Sequence, residues 1–320
     1  MAGIVSIGDL LIDFSPAGEG PGENPLYEMN EGGACANVAA AAARLGCPAL
    51  FIGNVGDDAF GRFAGQKLEA CGVGTQGVFF DGTHSTTLAF VHLAADGDRS
   101  FSFVRNPGAE TCLTPEKVCE SLLDGADILH FGSIPLSHNP SRDTIMGIAK
   151  KAFASGKTVS YDPNLRRPLW DSLDEAREVM RKCLSFCHIL KVSEEELEFL
   201  TGNADVEEAA AVLAEQYHVP LVLATLGKDG VYCKRGDDAF HSPAFTGMDT
   251  VDTTGAGDCY IGSFIAQAAR VGFDALIGDT LREAVRFSNA AAGLATTKKG
   301  AIPAMPSRAE VEVLLGKWSC

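Results

Sequence analysis

Four short apolar runs, Ile128-Leu129-His130-Phe131, Thr158-Val159-Ser160-Tyr161, Ile189-Leu190-Lys191-Val192 and Leu221-Val222-Leu223-Ala224, are each preceded by a segment of helical period. Runs that are apolar at successive positions suit strands buried on both faces. Helices between them return the chain, so the strands run parallel. The same rhythm begins upstream with a strand at Ile4 to Ile7 and a small-residue helix, Ala36 to Leu45, ended by Gly46. A strand at Leu50 to Ile52 and a helix at Phe60 to Ala70 follow. The predicted fold is three-layer α/β: a mostly parallel central sheet with helices on both faces. No Pro/Ser-rich linker or charge block divides residues 1–320, so a single domain is expected.

One region breaks the rhythm. Thr86 to Leu93 and Ser100 to Val104 read as strands joined by a turn at Asp96-Gly97-Asp98, a hairpin with one face to bury. With Ile12 to Phe14 and the segment near Tyr27 to Met29, it predicts a small β-sheet lid built from about 12–31 and 84–107. Such a sheet can cover a site or form a homodimer surface.

Composition narrows the function classes. A formal net charge of -16 argues against a nucleic-acid backbone as partner, which wants clustered Lys and Arg. It leaves room for one nucleotide, whose phosphates can rest on a few backbone N–H groups. The ten cysteines include no Cys-x-x-Cys pair, and free thiols in a reducing compartment are the expectation. The N-terminus lacks a basic region followed by an apolar one, and no run is apolar over the roughly 18 residues of a membrane span. A cytoplasmic protein is expected, with no membrane partner.

Two glycine patterns fail in context. Gly72-Val73-Gly74-Thr75-Gln76-Gly77 fits the dinucleotide spacing but follows a helix and enters a strand, the reverse of what that motif requires. Gly156-Lys157-Thr158 resembles the end of a P-loop, yet Lys151 stands where the first glycine belongs and a strand follows.

Two others carry chemistry. In Asp252-Thr253-Thr254-Gly255-Ala256-Gly257-Asp258, a compact turn feeds a long helix. Free N–H groups and the helix dipole make such a turn an anion site, and Asp258 in the first turn places a carboxylate beside that anion. Phosphoryl transfer needs this pair: charge stabilisation and a proton acceptor. The pattern also serves as a plain helix start. Gly32-Gly33-Ala34-Cys35-Ala36-Asn37 is a second glycine turn entering a helix, where Asn37 offers donor and acceptor to a sugar hydroxyl pair. Tight helix-on-sheet packing would also explain its glycines.

Together the two segments resemble the signatures of the ribokinase-like (PfkB) carbohydrate kinases. The runs Gly53-Asn54-Val55-Gly56-Asp57, Tyr161-Asp162-Pro163-Asn164-Leu165-Arg166 and Lys191-Val192-Ser193-Glu194 are similar to the fructokinase branch. The resemblance implies an ATP-dependent sugar kinase, with Asp258 as base and Gly255, Ala256 and Gly257 as anion hole. It implies Asp13, Gly32, Gly33, Asn37, Arg105 and Arg166 around the sugar, and Lys191, Thr225, Gly227, Gly230 and Asn289 around ATP. Mg²⁺ is the implied cofactor, with Glu196 reaching it through water. A monovalent cation such as K⁺ would rest on Asp252 and the Gly300 carbonyl. Fructose is the expected substrate, with ketodeoxygluconate, ribose or a nucleoside as alternatives. An inactive sugar sensor or scaffold is the alternative of another class.

Three departures bear on these expectations. Ser193 replaces the usual Asn before Glu196 and makes a capping box with it. Ala304 replaces a hydroxyl near the cation, and Val104 replaces a Tyr before the arginine.

Overall fold

The computed structural model describes residues 3–93 and 99–317. The first half contains β1 (Ile4–Ile7), β2 (Leu11–Glu19), β3 (Pro25–Gly32), α1 (Ala34–Arg44), β4 (Ala49–Gly56), α2 (Ala59–Ala70), β5 (Gly74–Asp81), β6 (Leu88–Leu93) and β7 (Arg99–Val104). Next come α3 (Ser121–Asp124), β8 (Ile128–Gly132), α4 (Ser141–Ala154), β9 (Thr158–Asp162), α5 (Leu173–Leu184), β10 (Ile189–Ser193), α6 (Glu194–Thr201) and α7 (Val206–Gln216). The chain closes with β11 (Leu221–Thr225), β12 (Val231–Arg235), β13 (Asp238–Ser242), α8 (Ala256–Val271), α9 (Gly278–Ala295) and α10 (Arg308–Lys317).

Nine strands form one sheet in the order β13-β12-β11-β10-β9-β8-β1-β4-β5, parallel except for β12 and β13. The chain starts in the middle at β1, builds β4 and β5 on one side, then returns to place β8 on the other. Such a reversal opens a crevice at the carboxyl ends of the strands beside β1 and β8.

The strand side chains alternate between two cores. Leu129, Phe131, Val159, Tyr161, Leu190 and Val222 pack under α4 to α7. Ile4, Ile128, Ile189, Leu221 and Leu223 face α1, α8, α9 and α10. That division is the three-layer arrangement read from the four apolar runs. The antiparallel edge β12–β13 went unread, because Val231 to Arg235 and Asp238 to Ser242 mix polar with apolar side chains as an edge hairpin does.

The second sheet has the order β3-β2-β6-β7, two antiparallel hairpins joined by a parallel β2–β6 pair. Phe14 stacks on Phe90 at 4.9 Å between ring centroids and meets Phe60 of α2 edge-on at 6.2 Å. The turn at Asp96-Gly97-Asp98 lies outside the described residues. Strand β6 begins at Leu88 rather than Thr86 because the two threonines are spoken for. Asp58 accepts from the Thr86 backbone and hydroxyl, and Thr87 donates its hydroxyl to Glu110.

Helix α1 is rich in alanine because α8 lies against it. A Cβ built on Gly262 of α8 would fall 2.7 Å from Ala41 Cβ and 2.8 Å from the Val38 carbonyl. Gly262→Ala is therefore expected to push the two helices apart and cost about 1–3 kcal/mol, read as a lower urea midpoint. It should also reduce activity, since α1 and α8 carry the two sides of the site described next.

The nine described cysteines are free, and five of them are buried. Among the described residues no helix is long and apolar enough to cross a membrane. The rejected glycine patterns are what their contexts implied: Gly72 and Gly156 each end a helical stretch at positive φ before a strand.

Candidate active site

The crevice is built from five segments. Asp9 follows β1, Asp13 lies on β2, Asn37 on α1, Asp162 and Asn164 at the end of β9, and Lys191 on β10. The first turn of α8 closes it. Gly255 caps α8 in the left-handed region at φ 73. A side chain there would meet Ala301 Cβ at 2.7 Å, so glycine is required twice over.

The turn offers fewer donors than its sequence implies. The Ala256 N–H donates to the Thr253 carbonyl at 3.2 Å. Among the described residues this narrows the anion-facing donors of the expected hole to Gly255 and Gly257. Lys191 compensates, because its Nζ lies 3.1 Å from where a Gly257 Cβ would stand. Burial opposes charge on Lys191, but the carboxylates of Asp162, Glu196 and Asp258 outweigh it and raise its pKa. The ammonium stays charged beside the anion turn, 3.1 Å from Asp162 Oδ2.

Asp258 is 7% exposed and held at both oxygens. Asn37 Nδ2 donates to Oδ2 at 2.7 Å, and Asn164 Nδ2 donates to Oδ1 at 3.0 Å. Burial pushes its pKa up, against the pull of Asn37, Lys191, Arg166 and Asn164. A carboxylate fixed in one orientation and raised toward working pH is suited to accept a proton. Asn37 Oδ1 is buried without a hydrogen-bond partner, a polar atom aimed at something a ligand hydroxyl would satisfy.

Asp13 completes this half of the crevice. Burial pushes its pKa up to about 7, with Arg166 pulling it down and Asp258, Asp9 and Asp252 pushing it further. Gly32 is glycine because a Cβ there would stand 2.1 Å from Asp13 Oδ2. Gly33, at φ 111, lets the backbone pass within contact of Asp9 and enter α1. Asp9 Oδ2 in turn accepts from the Ala34 N–H at 2.7 Å and fixes the start of that helix. Asp13, Gly33, Asn37, Arg166, Gly255 and Asp258 share one pocket. Phe101 and Phe103 of β7, ring centroids 6.1 Å apart, form its wall on the small-sheet side. Arg166 lies over the Phe101 ring at 5.6 Å.

A second cavity of ≈ 440 Å³ runs away from the same turn. Ala256 and Gly257 stand at one end, with Thr225, Gly227, Gly230 and Asn289 along it. Lys228 and Tyr260, not anticipated from sequence, also line it. Asn289 Nδ2 donates to Ser242 O, Ser242 Oγ and Pro243 O, each at 3.1 Å, so that amide nitrogen shapes the cavity wall.

Three of the expected site residues have their contacts fixed within the protein. Arg105 is not brought to the pocket wall. Its guanidinium is buried and donates to Glu110 at 2.7 Å, Ser137 at 2.9 Å, Ile134 O at 3.2 Å and Leu169 O at 3.4 Å. Glu196 spends both oxygens on backbone, accepting from Leu165 N at 2.8 Å and Ser193 N at 2.9 Å. It acts first as a cap. Asp252 accepts from the Gly300 N–H at 3.0 Å and from Thr254 N at 2.8 Å, which places it beside Gly300.

Sequence reasoning missed Asn164, Asp9, Phe101 and Phe103 as contributors. A signal existed for Asn164: it follows Asp-Pro and adopts φ 44, a left-handed conformation Asn tolerates better than most residues.

Comparisons with known proteins bear on the fold and the family. The chain is 42% identical to fructokinase-1 of Zea mays over 98% of both chains. Its structure superposes on a fructokinase with bound ATP from Xylella fastidiosa with a TM-score of 0.91 at 30% identity, over 99% of each chain. A Vibrio cholerae fructokinase bound to fructose, ADP and calcium gives a TM-score of 0.90 at 34% identity, covering 98% of this chain and 99% of that one. Residues 1–308 match the model of the pfkB family of carbohydrate kinases, and the chain belongs to that family.

Proposed function

We propose that the chain transfers the γ-phosphoryl group of ATP to the C6 hydroxyl of D-fructose, giving ADP and D-fructose 6-phosphate. One observation carries this reading. Asp258 lines the pocket that holds Asp13 and Asn37, directly follows Ala256 and Gly257 at the end of the longer cavity, and is locked by Asn37 and Asn164.

The sugar ring rests against Phe101 and Phe103, with its hydroxyls on Asp13 and Asn37. Asp258 accepts the proton of the primary hydroxyl. That oxygen bonds to the γ-phosphorus in line, and the bond to the bridging oxygen breaks, its electron pair leaving on ADP. The N–H groups of Gly255 and Gly257 and the Lys191 ammonium stabilise the charge that spreads over the transferring group. The small sheet, carrying the two phenylalanines, acts as a lid that keeps water from competing as acceptor.

The residues present fit Mg²⁺ held mainly by the nucleotide. Asp162 Oδ2 is buried and faces the Lys191 ammonium at 3.1 Å, and Glu196 lies close enough to act on both. Such a pair suits an ion that keeps most of its water and binds substrate phosphates, where it neutralises charge. A monovalent cation would rest near Asp252.

Arg105 decides between substrates. A sugar acid wants two cations at the pocket, and the burial of Arg105 against Glu110 leaves Arg166 as the arginine there. A neutral ketohexose fits better, and the plant and bacterial relatives are themselves named fructokinases. ADP release measured over ketoses, aldoses, sugar acids and nucleosides tests this. Fructose is expected to give the highest kcat/KM, with K⁺ raising the rate over Na⁺. A sugar acid or nucleoside in first place would replace fructose. ADP release indifferent to every sugar would end the kinase reading in favour of a sensor. Equal rates in the two salts would remove the cation at Asp252.

A further inference from the structure

Away from the crevice, Asp81, His84 and Cys112 converge. One ligand-capable atom from each lies within 4.8 Å of the others. His84 Nδ1 stands 3.2 Å from Asp81 Oδ2. Zinc bonds of about 2.0–2.3 Å place tetrahedral ligand atoms roughly 3.3–3.8 Å apart, so the three need only a short contraction.

The surroundings orient the group. Asp81 Oδ1 accepts from the N–H groups of Thr83 at 2.8 Å and His84 at 3.1 Å, which turns Oδ2 toward the imidazole. Asn54 Nδ2 bridges Asp81 Oδ2 at 3.2 Å and the Ala109 carbonyl at 2.8 Å, tying the two sides together. Cys112 Sγ makes only long contacts, 3.7 Å to Thr111 Oγ1 and 3.8 Å to the Gly108 carbonyl. Lys117 stands behind the group and donates to Asn54 Oδ1 at 2.9 Å. Glu110 is already paired with Arg105.

We propose that Asp81, His84 and Cys112 bind a zinc-class divalent cation at a site separate from the kinase centre. A thiolate, an imidazole and a carboxylate form the mixed S, N, O set that zinc takes, whereas Mg²⁺ and Ca²⁺ prefer oxygen alone. Three protein ligands leave a fourth position for water. On binding, the Cys112 sulfur bonds the metal and its proton passes to solvent.

The position gives the site a consequence. Asp81 ends β5, His84 lies on the segment from there into β6, and Cys112 lies on the segment leaving β7. A metal held between them clasps both stems of the hairpin that carries Phe101 and Phe103. One equivalent of zinc is thus expected to slow turnover several-fold by restraining that hairpin.

Cobalt(II) is the probe. The purified chain should bind one equivalent with a thiolate-to-cobalt charge-transfer band. Cys112→Ser should abolish the band while keeping metal-free turnover, and His84→Ala should weaken binding at least tenfold. Zinc should slow the wild-type chain and leave Cys112→Ser unaffected. No stoichiometric band in the wild type, or a band that survives Cys112→Ser, overturns the site. Equal zinc inhibition of both chains overturns the clasp. None of these readouts depends on which sugar is phosphorylated.

Discussion

Asp258→Asn is expected to lower kcat by roughly 10²–10⁴-fold, the contribution of positioned base catalysis, with little change in either KM. The substitution keeps size and shape, so packing around α8 survives. It does change hydrogen bonding. Asn37 and Asn164 both donate to the native carboxylate, and an amide can accept at one oxygen only. Asn37 can rotate its amide, since its Oδ1 has no partner to lose. The variant should fold with wild-type or higher thermal stability, because a buried charge is gone. Steady-state kinetics beside a melting curve check both halves. A kcat within threefold of wild type would remove Asp258 from the chemistry, and loss of folding would make the kinetics uninformative without Asn164→Ala alongside.

The second large effect belongs to Asp13. Asp13→Asn exchanges a charge-assisted hydrogen bond to the sugar for a neutral one, a loss of about 1–1.5 kcal/mol, or roughly 5–15-fold in kcat/KM for the sugar. KM for ATP should hold. Stability should move the other way. The Asp13 carboxyl titrates at about 7 in the folded chain against an ordinary 3.8, so between those values the folded state holds a proton the unfolded state has lost. That contribution is present at low pH and is lost as pH rises toward 7. Asparagine cannot titrate, so the sugar-free variant should be more stable than wild type at pH 8 and show a flatter pH dependence. Melting curves at pH 5 and pH 8 test the sign. The same ionisation predicts that wild-type kcat/KM for the sugar declines as pH falls below about 7.

The centre of the parallel sheet was readable because β8, β9, β10 and β11 are buried almost along their whole length, which a run of mostly apolar residues announces. The anion turn and Asn37 were readable because glycines at a helix start leave few physical explanations. What escaped sequence was mostly a matter of partners far along the chain. Arg105 looks like a free cation beside a pocket until Glu110, Ser137 and two carbonyls are seen to consume it. Glu196 reads as reaching a metal through water and as a cap, and the Leu165 and Ser193 N–H groups on its oxygens show the capping contacts. Asn164 needed the third dimension, since nothing in Asp162-Pro163-Asn164 says that Asp258 will face it. The alanines of α1 answer to Gly262 of α8, and that close approach brings Asn37 to Asp258.

The central claim is that this crevice moves phosphate from ATP to one primary hydroxyl of a hexose. Incubating the chain with ATP, Mg²⁺ and fructose, then identifying the sugar product by NMR against the stoichiometry of ADP, tests it most directly. The account predicts one D-fructose 6-phosphate for each ADP. ADP accompanied by inorganic phosphate, or phosphate on a different hydroxyl, would contradict it.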